Sequence, residues 1–231
     1  MFIWGEMMEN NKPGQIKSKS RVKDHGEVFT PDFIVEDMLN LVKYETERID
    51  SRFLESACGD GNFLIKILGK KLDVVEKKYK KNQFDYERNS LIAISSIYGI
   101  ELLDDNVLEA KKRLYNLFLT KYKKLYKNKI NKIFLENVKF ILEKNIVQGD
   151  ALTFKDKNKN AIIFSEWSAI NGTLIQRRDF QFGDLANFNP KQPSLFAKME
   201  LSDDGKVVYS PQTIKEYSAI SFLKLMGQEN V

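Results

Sequence analysis

Along the first two-thirds of the chain, apolar residues recur in blocks whose spacing alternates between helical and extended. In DFIVEDMLNLVKYE, residues 32–45, Ile34, Met38, Leu41 and Val42 share one helical face behind Pro31 and Asp32, which predicts a helix. Residues 52–54 read as a very short apolar strand running into Glu55, and NFLIKILGKKLDVVEKKY predicts a helix starting immediately after Gly61. The polar KKNQFDYERN then interrupts the pattern. IAISSIYGIE, residues 92–101, contains the next strand, and DDNVLEAKKRLYNLFLTKYKKLY has helical periodicity from Asp104. A helix over 131–143 and a strand NIVQG over 145–149 follow. Helix and strand thus alternate, with glycine or an acid at the strand ends, which is the pattern of an α/β fold with a parallel sheet. After Asp150 the character changes, and AIIFSEWSAINGTLIQRRDF predicts two extended segments about Asn171 and Gly172, an inserted β-hairpin over 161–182 with favourable turn chemistry. The last forty residues, with Pro190, Pro193 and Pro211, read as irregular except for a short apolar segment over 217–226. Residues 9–26 are polar, contain Pro13 and Gly14, and read as an arm or loop.

These patterns divide the chain into an N-terminal arm over 1–25, an α/β core over 26–160, and a hairpin with an irregular extension over 161–231. A length of 231 residues at 42% hydrophobic composition supports one sizeable core. A net charge of +5, from 37 basic and 32 acidic residues, is compatible with an anionic partner without identifying one. Cys58 is the only cysteine, which excludes an intrachain disulfide and offers no cysteine cluster for a metal, so the expected address is the cytoplasm and the expected metal content none. The opening MFIWGEMMENNKPG is too short in its apolar run to span a bilayer.

The densest candidate chemistry lies in FLESACGDGNFL, residues 53–64. Gly59 and Gly61 allow a tight turn and close ligand approach where a strand leads into a helix, and Glu55 stands at the carboxyl end of that strand. The stretch lacks the third glycine of a dinucleotide fingerprint, and no GK[ST] follows to hold a triphosphate. A carboxylate at Glu55 repels a pyrophosphate and attracts an ammonium group. Glu101 ends the second strand, suitably placed to accept both hydroxyls of a ribose, and Asp150 ends the third, where it could accept from an exocyclic amine. Each acid taken alone could equally cap the next helix; three in succession, in this glycine context, point to a ligand with several donors.

GEVFTP (26–31), LESACGDGNFL (54–64), YGIELLDD (98–105) and NIVQGDAL (145–152) together resemble the first four blocks of amino-group DNA methyltransferases, especially the adenine-N6 enzymes of restriction-modification systems. The resemblance covers residues 26–152 and implies a partial Rossmann-like methyltransferase sheet with S-adenosylmethionine as cofactor and double-stranded DNA as substrate. It implies that the Thr30 region and Glu55 hold the methionyl end, that Gly59 and Gly61 make room for it, that Glu101 binds the ribose, and that Asp150 binds the adenine amino group. Leu102 and Leu152 become apolar walls around that adenine. Ser56 stands where the family usually has proline, and the intervals between the three acids are longer than in a minimal member.

Such enzymes carry a polar-proline-proline-aromatic loop after the fourth strand, which receives the target amine. No such tetrapeptide occurs in this chain, so no catalytic residue is assigned. Either SEWS (165–168) takes that position with Trp167 for stacking, or residues 161–182 are an insertion and the catalytic loop belongs to a further methyltransferase or target-recognition polypeptide; the second reading is favoured, and the C-terminus reads as premature. The competing function is a catalytically inactive, DNA-associated or partner-binding module of the same fold.

Residues 111–144 hold 11 Lys or Arg and only 2 Asp or Glu, with Tyr115, Tyr122 and Tyr126 interleaved. That pattern fits phosphate contact, and it fits better a solvated helix face whose tyrosines rest on the core. Arg177 and Arg178 are a second nucleic-acid candidate, against pairing to Asp179 or Asp184. Cys58 is expected to pack beside the cofactor and His25 to take no catalytic part; Trp167 and Phe180 are expected to bury against the hairpin.

Overall fold

A computed structural model describes residues 17–187, 198–201 and 207–230. Its first element is helix α1 (Lys19–His25), whose N-cap Ser18 accepts from the Arg21 amide at 3.2 Å and whose C-cap Gly26 adopts a left-handed φ of 64°. The stretch expected as arm or loop therefore contains a helix; residues 1–16 of that arm lie outside the described residues. There follow α2 (Asp32–Leu41), α3 (Lys43–Thr46), β1 (Phe53–Glu55), α4 (Asn62–Tyr79), α5 (Gln83–Ser95), β2 (Ile97–Glu101), α6 (Asp104–Tyr126), α7 (Lys132–Asn145) and β3 (Ile146–Gln148).

The three strands form a parallel sheet in the order β1-β2-β3, with Phe53 opposite Ile97 and Gly99 opposite Ile146. Parallel neighbours need long crossovers, and the helix pairs α4–α5 and α6–α7 supply them. The central strand β2 is buried throughout. Helical rows Leu64, Leu68, Leu72 and Val75 on α4, and Val107, Ala110, Leu114 and Phe118 on α6, point into one core at three- and four-residue intervals. Three parallel strands with helical crossovers form the partial Rossmann-like sheet that the resemblance implies.

Two expectations change. The polar KKNQFDYERN is largely the first half of α5, capped by Asn82, whose side chain accepts from the Phe84 amide at 3.0 Å. Its buried face mixes Tyr86, Leu91 and Ile94 with Glu87, Asn89 and Ser90, which hides it from a reading based on apolar spacing. On α2, it is Val35 and Leu39 that enter the core, while Ile34, Met38, Leu41 and Val42 are exposed, Leu41 at 86%. The predicted apolar face is real but turned away from the described core.

Below the sheet, Lys71 is fully buried. Its Nζ donates to the carbonyls of Arg48 (3.0 Å), Ile49 (3.3 Å) and Ser51 and to Ser96 Oγ (2.8 Å), and lies over the Phe53 ring. It clasps the segment that enters β1.

The hairpin expected over 161–182 is β4 (Ile163–Ala169) and β5 (Leu174–Gln181), closed through Gly172 at φ 57°. It covers the Tyr98–Ile100 face of the parallel sheet: the Tyr98 hydroxyl donates to the Ser165 carbonyl at 3.0 Å, and Ile162, Phe164 and Phe182 complete a second small core there. Helix α8 (Phe182–Ala186) follows, then the antiparallel pair β6 (Lys198–Leu201) and β7 (Val207–Ser210). The short strands β8 (Lys215–Glu216) and β9 (Ile220–Ser221) extend the hairpin sheet through β5, and a 3₁₀ turn occupies Leu225–Asn230. No described helix is long and apolar enough to cross a membrane.

Candidate functional site

The site is built on the turn between β1 and α4. After Glu55 the chain folds over β2, with the Cys58 amide donating to the Ile100 carbonyl at 2.9 Å and the Gly61 amide to the Cys58 carbonyl at 2.8 Å. Gly59 and Gly61 have φ of 53° and 90°, the left-handed region that disfavours any side chain. Both are also sterically committed: a Cβ at Gly59 would lie 3.1 Å from the Phe29 ring, and one at Gly61 would lie 3.2 Å from Ala110 Cβ. On β2, Gly99 permits the turn to sit this low, since a Cβ there would come within 2.9 Å of Cys58 Sγ and Leu64 Cδ1.

Register brings the acids to one sheet edge. Glu55 stands opposite Gly99, two residues before Glu101, and the Gly149 amide donates to the Glu101 carbonyl at 2.9 Å, so Asp150 follows directly. Their environments differ. Glu101 is 8% exposed, and its two carboxylate oxygens accept separately from the Gly59 amide at 2.9 Å and the Leu103 amide at 3.0 Å. It therefore ties the glycine turn to the start of α6. Glu55 is half-buried, no described cation pairs with it, and burial raises its carboxyl above the usual carboxylate range. Asp150 folds back on its own turn, accepting from the Leu152 amide and the Thr153 hydroxyl at 2.9 Å each, and the Leu152 amide draws its carboxyl downward. Leu102 and Leu152 are exposed, Leu152 at 90%, and form a rim rather than a closed wall.

The FTP segment docks on the same turn. Phe29 is buried over Gly59, and the Thr30 carbonyl accepts from Asn62 Nδ2 at 3.2 Å. Two residues that sequence reasoning missed hold the turn from beneath. Asp60 is buried and pairs with Arg113 at 2.5 Å, while Arg113 also donates to the Asp60 carbonyl at 2.9 Å and Asn62 Oδ1 at 2.8 Å. Asp60 Oδ1 has no hydrogen-bond partner, and burial raises this carboxyl despite the arginine. Nothing in the spacing of Asp60 and Arg113, 53 residues apart, announces that contact. Helix α1 is tied above α6: Arg21 bridges Glu27 (2.6 Å) and Asp105 (2.7 Å), and its hydrogen bond holds the Asp105 carboxyl down to about 2.

The remaining candidates resolve structurally. Cys58 is buried, and desolvation pushes its thiol up, away from nucleophilic use. SEWS lies inside β4 with its first three residues engaged: Ser165 donates to Asp179 at 2.7 Å, Glu166 pairs with Arg52 and Arg178, and buried Trp167 donates from Nε1 to Asn145 Oδ1 at 2.9 Å. It cannot receive a target base. Arg177 is buried against Asp179 at 2.7 Å and stacks over Tyr217, so neither arginine of the hairpin presents a free cation. Phe180 is buried in the hairpin as expected, Tyr122 is fully buried, and Tyr115 and Tyr126 are half-buried against the core. No group of three or more potential metal ligands occurs among the described residues.

A family model described as the MmeI DNA-methyltransferase domain matches residues 34–163. No curated protein and no solved structure matches the chain.

Proposed function

We propose, from the premise that this chain belongs to the MmeI DNA-methyltransferase-domain family, that it is the S-adenosylmethionine-holding portion of an adenine-N6 enzyme of a restriction-modification system. DNA methylation is the activity of the family. The cofactor, the target atom and the role of each residue are our reading, as is the division into an arm over 1–25, a cofactor-binding core over 26–160 and an extension over 161–231.

The observation that carries the reading is Glu55, a half-buried carboxylate with no described cation, beside a glycine turn whose amide is anchored by buried Glu101. A desolvated anion without a counter-charge suits a ligand that brings its own ammonium. The donor set fits S-adenosylmethionine: Glu55 and the Thr30 segment toward the amino-acid end, Gly59 and Gly61 beneath it, Glu101 with spare lone pairs for the ribose, and Asp150, Leu102 and Leu152 around the adenine. The bound cofactor supplies an electrophilic methyl group on a sulfonium. The chain's own residues orient it, and the Glu101 bridge fixes the turn against which it lies.

Cys58 is buried with its thiol pushed up, so it does not serve as the nucleophile that a ring-carbon enzyme needs, and an amine is favoured as the target on the order of the blocks. The order of FTP, the glycine turn, Glu101 and Asp150 supports adenine-N6 among the amino-group enzymes. With SEWS consumed inside β4 and no two consecutive prolines in the sequence, the loop that receives the base is assigned to another polypeptide segment.

Two measurements test this. Calorimetric titration with S-adenosylmethionine should show saturable binding that Glu55→Gln weakens; absence of wild-type binding refutes the cofactor assignment. Incubation of the chain with radiolabelled S-adenosylmethionine and mixed-sequence duplex DNA should give no incorporation, and robust incorporation abolished by Glu55→Ala would show that the chain carries its own catalytic loop.

A further inference from the structure

We propose that the end of the molecule opposite the strand-end acids is a separate, sequence-independent binding surface for the phosphates of double-stranded DNA. Two segments distant in sequence make it: KKYKK, residues 77–81, where α4 ends and α5 begins, and KKLYKNKINK, residues 123–132, where α6 ends and α7 begins. The Tyr126 hydroxyl joins them by donating to the Lys80 carbonyl at 3.1 Å, and Gln83, two residues past the first segment, donates from Nε2 to the Lys129 carbonyl at 2.6 Å. The nine lysines of these segments are all exposed, and none forms an ion pair with a described residue. Several lysines elsewhere on the same helices behave differently: Lys111 pairs with Glu143, Lys121 with Asp73, and Lys139 with Glu136.

Helix stability explains only part of this concentration. Lys77, Lys78, Lys123 and Lys124 occupy last turns, where the helix dipole favours cations. Lys81, Lys129 and Lys132 stand within two residues of the N-caps Asn82 and Asn131, at the positive ends of α5 and α7, where the same dipole disfavours them. Repulsion among nine exposed ammonium groups adds to that cost, and a polyanion relieves both.

The intervening tyrosines identify the class of polyanion. Tyr122 is fully buried, its hydroxyl bonded to Glu87 and, at 2.8 Å, to Gln83 Nε2; Tyr126 packs on the rings of Tyr86 and Tyr122 at 5.4 Å each. Tyr79 is half-buried against the core, and the partly exposed ring of Phe84 packs edge-on against Phe222 at 5.2 Å, so among the described residues this surface is dominated by point charges rather than free stacking faces, which suits a duplex backbone rather than a single strand. Helices α4 and α6 both start at the acid edge and run 18 and 23 residues, so the lysine end lies roughly 30 Å from it at about 1.5 Å per residue. That is close to one helical turn of DNA, about 34 Å, and separates this contact from the one that presents a target base. The inference rests on DNA being the substrate, and does not depend on which residues hold the cofactor.

The test is fluorescence anisotropy of the full chain with a labelled mixed-sequence duplex across a potassium chloride series, on wild type, on Lys81→Gln/Lys129→Gln/Lys132→Gln, and on an equal charge loss elsewhere, Lys19→Gln/Lys23→Gln/Lys155→Gln. If all three cations touch phosphate, the slope of log affinity against log salt becomes shallower by about 2.7, at about 0.9 per contact, while the control triple keeps the wild-type slope. A second triple at 123, 124 and 127 should act in the same direction. Equal slopes for wild type and both lysine-end triples overturn the proposal, as does an equal loss in the control or absence of wild-type duplex binding. An unchanged slope on DNA with a reduced one on RNA of the same length assigns the surface to RNA instead. Calorimetry with S-adenosylhomocysteine on the same variants should be unchanged, so failure of the cofactor reading registers separately.

Discussion

Replacing Glu101 should cost folding stability and ligand affinity together, in proportions that separate its observed bridge from its proposed contact with the ligand. The carboxylate is 8% exposed and gives one oxygen to the Gly59 amide and the other to the Leu103 amide, at 2.9 and 3.0 Å. A hydrogen bond to a charged group is worth about 1.5–3 kcal/mol. Glu101→Ala removes both of these and a longer one from Asn106 Nδ2 at 3.5 Å, and because Gly59 and Leu103 are only partly buried, so that water can reach the freed amides, the expected loss is about 2–4 kcal/mol rather than the full sum. Glu101→Gln keeps one acceptor and turns an NH₂ group toward the other amide, so roughly half of that loss should remain. On the ligand side, Ala should weaken S-adenosylhomocysteine by about ten- to a hundredfold, the equivalent of one charge-assisted bond. Guanidinium denaturation gives the first quantity, and calorimetry on the still-folded proteins gives the second. An Ala variant as stable as wild type refutes the bridge as an energetic element. Lost stability with unchanged affinity leaves Glu101 as a holder of the turn and removes it from the ligand.

Burial pushes the Lys71 amine from its ordinary 10.5 down to about 7; the unfolded chain then keeps a proton that the folded chain releases, so stability should rise with pH between those values. Denaturation midpoints at mildly alkaline pH should show a gain of about 1–2 kcal/mol over one to two pH units. Lys71→Met should lack that gain, and equal pH slopes in the two proteins would defeat the assignment. In the hairpin, Arg177→Met leaves Asp179 buried without its cation and should destabilise by about 3–5 kcal/mol; a chemical-denaturation loss below 1 kcal/mol would mean that the pair is solvated in a way its burial contradicts.

What could be read from sequence was local. The strand, glycine turn and helix of residues 53–79 are encoded by neighbours, and so is the hairpin about Asn171 and Gly172. The missed features need partners that spacing does not reveal. Helix α5 is concealed because Glu87 is kept inside by Tyr122, Gln83 and Asn131, two of which belong to other elements. The face of Ile34, Met38, Leu41 and Val42 was legible as apolar, but its periodicity does not say which arc meets the core. At the site, the positions of Glu55, Glu101 and Asp150 on one edge follow from strand order, whereas the engagement of Asp150 with its own turn and the Asp60–Arg113 support depend on tertiary contacts.

The seating of Phe29 on Gly59 joins two parts of the chain in one thermodynamic cycle. A ligand entering over the glycine turn has that ring as a neighbour, and the ring belongs to the segment that α1 secures through Arg21, Glu27 and Asp105. Docking of the segment and occupancy of the turn are then reciprocal: the factor by which one changes the other's equilibrium is the same in both directions. If a ligand occupies the turn as proposed, salt that weakens the Arg21–Asp105 contact would act through this cycle on a ligand it never touches, and the ionic strength of a titration should then shift the binding constant even where the ligand's own charges balance.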